Sequence, residues 1–138
     1  MYNVPMQNKL KHLEMIQAII SRMSGNLFYL KGWSITLIAG LAALFVNNSN
    51  KNYIYVIYYI ILVFWTLDGY FLSQERLYRS LYNDVRKLKE DKINFSMDTS
   101  KYKEIKNNGW VESMKSKTLL IFYIPLLIIT AFVNLVIK

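Results

Sequence analysis

YIYVIYYIILVFWTLDGYFLSQERLYRSLYNDVRKL, residues 53–88, is the stretch on which the fold turns. Residues 53–73 carry a single charge, Asp68, and match the roughly 20 apolar residues (range about 17–25) that cross a hydrocarbon core of ~30 Å. Beyond them Leu67, Phe71, Gln74, Leu77/Tyr78, Leu81, Val85 and Leu88 recur every three or four positions, which is the period of a helix face. The expectation is one helix that leaves an apolar layer without stopping and runs on to about residue 92. Glu75 and Arg79 lie four apart with the acid first, the favourable order for a surface pair worth about 0.3–0.5 kcal/mol.

Working outward, two further apolar blocks occupy 32–46 and 118–137. The first reaches span length only if it starts near Leu27 and includes Lys31, whose long stem can carry the ammonium to the headgroup level. Upstream, Leu13, Ile16, Ile20, Met23, Leu27 and Leu30 alternate spacings of three and four, an a/d seam that asks for a partner helix and is read as a surface for self-association. Residues 5–31 are therefore expected as an amphipathic helix that continues into the first span. Ser24-Gly25-Asn26 is its one weak point, with Gly25 a candidate kink or close-approach site.

Asn47–Asn52 reads as a short turn, 93–108 as a basic loop with turn and capping residues, and 109–117 as a membrane-proximal helix capped by Asn108 or Gly109. Pro125, inside the third span, predicts a kink or local unwinding. The fold class is thus an all-α integral membrane protein of about three spans with long helical extensions. A hydrophobic content of 54%, against roughly 45–50% for ordinary soluble domains, agrees. No cleavable signal is read, because largely polar residues precede the first apolar block.

Of the Lys and Arg residues, four precede the first span, eleven lie between the second and third, and only Lys51 and Lys138 fall on the other side. Short loops rich in Lys and Arg stay in the cytoplasm, so the expected topology, in a bacterial inner membrane, puts the N-terminus and 74–117 inside and the C-terminus outside. The formal charge of +8 is then a cytoplasmic feature that also attracts anionic lipid.

The chain has no cysteine and one histidine, His12, which sits beside Lys11 on a polar face and reads as solvated. With no clustered histidines, no facing acid pairs and no Gly-rich phosphate loop, neither catalysis nor a metal or cofactor is expected. Asp68 is the one carboxylate near a span, a functional candidate by default. Its natural partner is Lys31, at the same end of the neighbouring antiparallel span. Ser34, Thr36 and Thr66 are the few polar positions that could face a pore. Arg76, Tyr78, Arg79, Tyr82, Arg86, Lys101, Tyr102, Lys103 and Lys106 interleave cations with aromatics, a combination that can hold phosphates by charge and bases by stacking. The same pattern suits a membrane-proximal face.

The layout from Lys9 to about Arg86, with LDGYFLSQERLYRSLYNDVRKL at 67–88 following the second span, resembles small membrane effectors of bacterial anti-phage systems. The SLATT-type effectors are one such group, and the channel effector of the Hailong system is nearer in size and organisation. The resemblance implies a homo-oligomeric channel held by a nucleotide or DNA-oligomer ligand, a partner nucleotidyltransferase that makes it, and depolarisation on opening. Two other classes compete on the residues alone: a holin-like lysis protein, and a non-conducting structural or regulatory membrane subunit.

Overall fold

The computed structural model describes residues 4–48 and 52–137. Four helices carry the chain: α1 (Val4–Asn48), α2 (Tyr53–Val85), α3 (Trp110–Met114) and α4 (Lys117–Ile137). Two 3₁₀ turns, Glu90–Lys92 and Ser100–Tyr102, punctuate the connection between α2 and α3. Among the described residues three helices, α1, α2 and α4, are long and apolar enough to cross a membrane. The Asn47–Asn52 turn falls on residues 49–51, outside the described residues, while Asn47 and Asn48 still belong to α1.

At 45 and 33 residues, α1 and α2 measure roughly 67 and 50 Å, well over a bilayer's apolar thickness. Each passes from an apolar half of the molecule into a polar half without a joint. Helix α1 is continuous through Gly25, and an added Cβ there would meet nothing within 4 Å. The expected close approach at Gly25 is not made within the chain. Pro5 sits in the first turn of α1, where its missing N–H costs no hydrogen bond.

Two cores hold the pair together. In the polar half, Ile16 and Ile20 of α1 bury against Leu77, Leu81 and Val85 of α2 and Tyr102 of the connection, with Leu13, Tyr78, Tyr82, Ile93 and Met97 around them. In the apolar half, Ile57 and Ile61 of α2 pack on Leu119 and Tyr123 of α4, flanked by Ile38 and Leu41 of α1. The α1 seam thus finds its partner within the chain. Its reading as a self-association surface is corrected at Ile16 and Ile20, which α2 covers, and Met23, Leu27 and Leu30 are half-buried. The seam continues into the span through Lys31 and buried Ser34 to Ile38 and Leu41, polar members that a search for apolar spacing passes over.

α2 ends at Val85 rather than near residue 92. Val85 is its last residue to reach the core; beyond it Arg86, Lys87 and Lys89 have nothing to bury. Lys9 Nζ donates to the Leu88 carbonyl at 2.8 Å, satisfying an acceptor that a longer helix would have used internally. The chain then turns back so that Ile93 and Met97 reach the polar-half core.

The membrane-proximal helix expected over 109–117 is also shorter. α3 stops at Met114, and Ser116 restarts the chain: its hydroxyl accepts from the Leu119 N–H at 3.4 Å and its carbonyl from the N–H groups of Leu119 and Leu120. Gly109 precedes α3 and accepts from the Ser113 N–H. Helix α4 runs 21 residues through Pro125 with no unwinding, a length of about 32 Å.

Candidate functional site

Where the two halves meet, one residue from each long helix converges. Asp68 of α2 is fully buried. Its Oδ2 accepts from Lys31 Nζ of α1 at 2.7 Å and from the Tyr123 hydroxyl of α4 at 2.8 Å. Lys31 keeps 22% of its side chain exposed, lies 5.7 Å from the centre of the Phe122 ring and reaches the Leu27 carbonyl at 3.4 Å. Trp65 stacks on Tyr123 at 5.9 Å and donates its indole N–H to the Met114 carbonyl at 3.0 Å, tying α3 to the cluster. A buried charge survives only when paired and hydrogen-bonded; Asp68 has two donors on one oxygen, while Oδ1 is buried with no hydrogen-bond partner.

The structure thus brings Lys31 and Asp68 together and adds Tyr123, which the residue patterns did not single out. Its signal was present: it is the only tyrosine in 118–137, and a buried phenol in an apolar helix needs an acceptor. Gly69, next to Asp68, lets α3 approach. An added Cβ there would lie 2.3 Å from Met114 Cγ and 3.4 Å from its Cα.

The pore candidates do not converge. Ser34 is buried inside the chain and donates to the Lys31 carbonyl at 2.9 Å. Thr36 donates to the Gly32 carbonyl, and Thr66 to those of Leu62 and Val63. Each hydroxyl is satisfied by its own helix, the usual arrangement in apolar surroundings.

The nine basic and aromatic candidates separate as well. Arg79 pairs with Glu75 at 2.7 Å, and Glu75 also accepts from Ser24 of α1 at 3.4 Å. Tyr78 and Tyr82 pack against the polar-half core. Tyr102, expected as a stacking platform, is itself buried there. Its hydroxyl donates to Asp84 at 2.8 Å, and Lys101 Nζ reaches the same carboxylate at 3.1 Å. The Tyr102 hydroxyl, followed by the Lys101 ammonium, holds the Asp84 carboxyl below its usual range, and burial pushes the Tyr102 hydroxyl up. Arg86 and Lys103 are exposed. Arg76 and Lys106 share a separate cleft with Lys115.

Two anchors of the connection escaped the pattern reading. His12 is not solvated: it is 1% exposed, its Nε2 lies 3.0 Å from the Ser96 carbonyl, and its ring sits 5.4 Å from that of Phe95. Phe95 holds the left-handed backbone conformation, φ 56°, so the loop is fastened to α1 at a strained point. Asn108 is buried too; its amide donates to Ser80 Oγ and the Tyr102 carbonyl, both at 3.0 Å, and its own carbonyl accepts from Ser73 Oγ. It latches the loop to α2 instead of capping α3.

The class that this architecture defines is an all-helical protein with three helices able to cross a membrane and a charged three-helix junction at their polar end. No family model, curated protein or solved structure matches the chain.

Proposed function

We propose that the chain is the subunit of a homo-oligomeric membrane channel, an effector of bacterial anti-phage defence gated by an anionic nucleotide or oligonucleotide on its polar, cytoplasmic side. In this reading the N-terminus is inside, the C-terminus outside, the membrane is the bacterial inner membrane, and a nucleotidyltransferase supplies the ligand. The observation that carries it is the junction itself. Two unbroken helices run from the polar-half core to the apolar-half core, and Lys31–Asp68–Tyr123 joins all three spans between those cores. A displacement of the polar layer by a ligand is transmitted directly to the spans, because packed cores rearrange between discrete states and do not deform smoothly.

Self-association is supported by what the chain leaves uncovered. Hardly any of the membrane stretch of α1 is buried within the chain. Gly32, Thr36 and Gly40 are exposed at four-residue spacing along α1, with open space where Cβ atoms would stand at both glycines. Small residues at this spacing let helices approach closely in lipid. Such a pore, lined mostly by apolar side chains, gates by dewetting.

The test is purification in mild detergent, mass determination, a search for bound ultraviolet-absorbing anion, and recording in a planar bilayer. The expected result is an oligomer that conducts and whose conductance responds to the bound anion. A nucleotide-free monomer that never conducts refutes the proposal.

A further inference from the structure

Independent of any channel activity, one cleft gathers cations from three segments of the chain. Arg76 of α2, Lys106 of the connection and Lys115 before α4 line a cleft of about 590 Å³, together with Asn107, Glu112 and Ser116. Three cations face one carboxylate. None of the three takes part in the four ion pairs among the described residues. The Arg76 guanidinium is nevertheless held in place: Nη1 donates to the Asn107 carbonyl at 2.5 Å and to Ser113 Oγ at 3.3 Å. Asn107 presents that carbonyl from a left-handed conformation, φ 77°, which asparagine tolerates better than most residues. The fork is anchored through one nitrogen, which leaves its other N–H groups for a ligand oxyanion.

Depth identifies the ligand. The apolar run of α2 ends at Leu72, and Arg76 follows four residues later, roughly 6 Å along the axis, within a headgroup layer roughly 5–8 Å deep. Lys115 and Ser116 immediately precede α4, so the positive end of that helix dipole also points here. Trp110, exposed on α3 with its indole N–H on the Thr66 carbonyl at 2.9 Å, is placed as interfacial tryptophans are. We propose that Arg76, Lys106 and Lys115 form a binding site for the phosphate of an anionic lipid headgroup.

The test is native mass spectrometry of the full chain released from mild detergent. Phosphatidylglycerol and phosphatidylcholine with identical acyl chains are supplied together. The wild-type chain retains phosphatidylglycerol in preference to phosphatidylcholine. A lysine near an anionic lipid contributes about a fivefold factor in affinity, so Lys106→Gln with Lys115→Gln lowers phosphatidylglycerol retention by roughly 25-fold. Both side chains are exposed, and unchanged far-UV circular dichroism verifies that the variant folds. Lys89→Gln with Lys92→Gln removes the same charge elsewhere and leaves retention unchanged. Three outcomes overturn the proposal. Equal retention of the two lipids removes the site; an equal loss in the Lys89/Lys92 control reduces it to general charge attraction. Displacement of phosphatidylglycerol by millimolar inorganic phosphate assigns the cleft to a soluble oxyanion instead.

Discussion

Replacing Lys31 by Met tests the junction most directly. Removing one partner of a buried pair costs about 3–5 kcal/mol, because the remaining charge is stranded. Asp68 is fully buried and would retain only the Tyr123 hydroxyl, while the 22% exposure of Lys31 puts the expected loss near the lower end, about 3 kcal/mol. Tyr123→Phe removes one hydrogen bond to a charged group, about 1.5–3 kcal/mol. Lys31→Met combined with Asp68→Leu removes both charges and is expected to recover most of the loss, since apolar replacement of a buried pair is often neutral or better. The swap Lys31→Asp with Asp68→Lys recovers part of it. The assay is unfolding in mixed micelles by increasing dodecyl sulfate, followed by far-UV circular dichroism, with the four chains of the Lys31/Asp68 cycle compared. Interhelical hydrogen bonds in membranes average only about 0.6 kcal/mol, so a coupling above about 2 kcal/mol marks an ion pair. Additive single losses within about 0.5 kcal/mol would show that the two residues do not stabilise one another, and the junction would lose its role in joining the spans.

Gly69→Ala is expected to cost about 1–3 kcal/mol by overpacking against Met114, with part recovered by Met114→Ala, whereas Gly25→Ala gains about 0.5–1 kcal/mol because its surroundings are open; the same micelle titration reads both. Ile20→Ala and Leu81→Ala should each cost about 2–5 kcal/mol and should raise amide hydrogen exchange in the polar half before the spans. Asp84 lies beyond the apolar run and its carboxyl is held below its ordinary range by the Tyr102 hydroxyl and the Lys101 ammonium, so the unfolded chain binds the proton first on acidification. Its contribution is complete above the unfolded value and disappears as pH falls through the folded one. A pH titration of helicity should show Tyr102→Phe flattening this acid limb, and an unchanged limb contradicts the contact.

The three apolar helices and the Lys31–Asp68 pairing were legible in the sequence, because span length and an isolated carboxylate are strong signals on a charged background. The seam was legible as a pattern but not as an assignment. A three-four spacing says that a face is covered, and Ile16 and Ile20 would look the same whether a second copy or α2 covered them. Polar members were illegible for a related reason. Lys31 and Ser34 belong to the covered face, yet the apolar spacing ends at Leu30, before either of them. The connection was the least readable part, since His12 and Asn108 hold it through a few hydrogen bonds to residues distant in sequence. Such bonds have no period, and a lone histidine beside Lys11 looks solvated until the loop folds over it.

The register of α1 against α2 ties these pieces into one mechanical unit. Ser24 meets Glu75 and Lys31 meets Asp68, so a seven-residue step up one helix matches a seven-residue step down the other. Two heptad-spaced polar contacts penalise a slip by a turn, because a slip would part Asp68 from Lys31 and leave it buried with only the Tyr123 hydroxyl, while Glu75 would lose Ser24 and keep Arg79. Apolar packing alone is far more tolerant: Ile16, Ile20, Leu77 and Leu81 would find similar partners one turn away. The polar pairs therefore define the register that the apolar residues stabilise. They also constrain how the protein can move. A sliding motion between α1 and α2 is opposed at both contacts, while a tilt of the whole α1–α2 pair about α4 leaves both in place and repacks the apolar-half core, where Ile57 and Ile61 meet Leu119 and Tyr123. If the spans rearrange in response to the polar half, α4 is the element against which they turn.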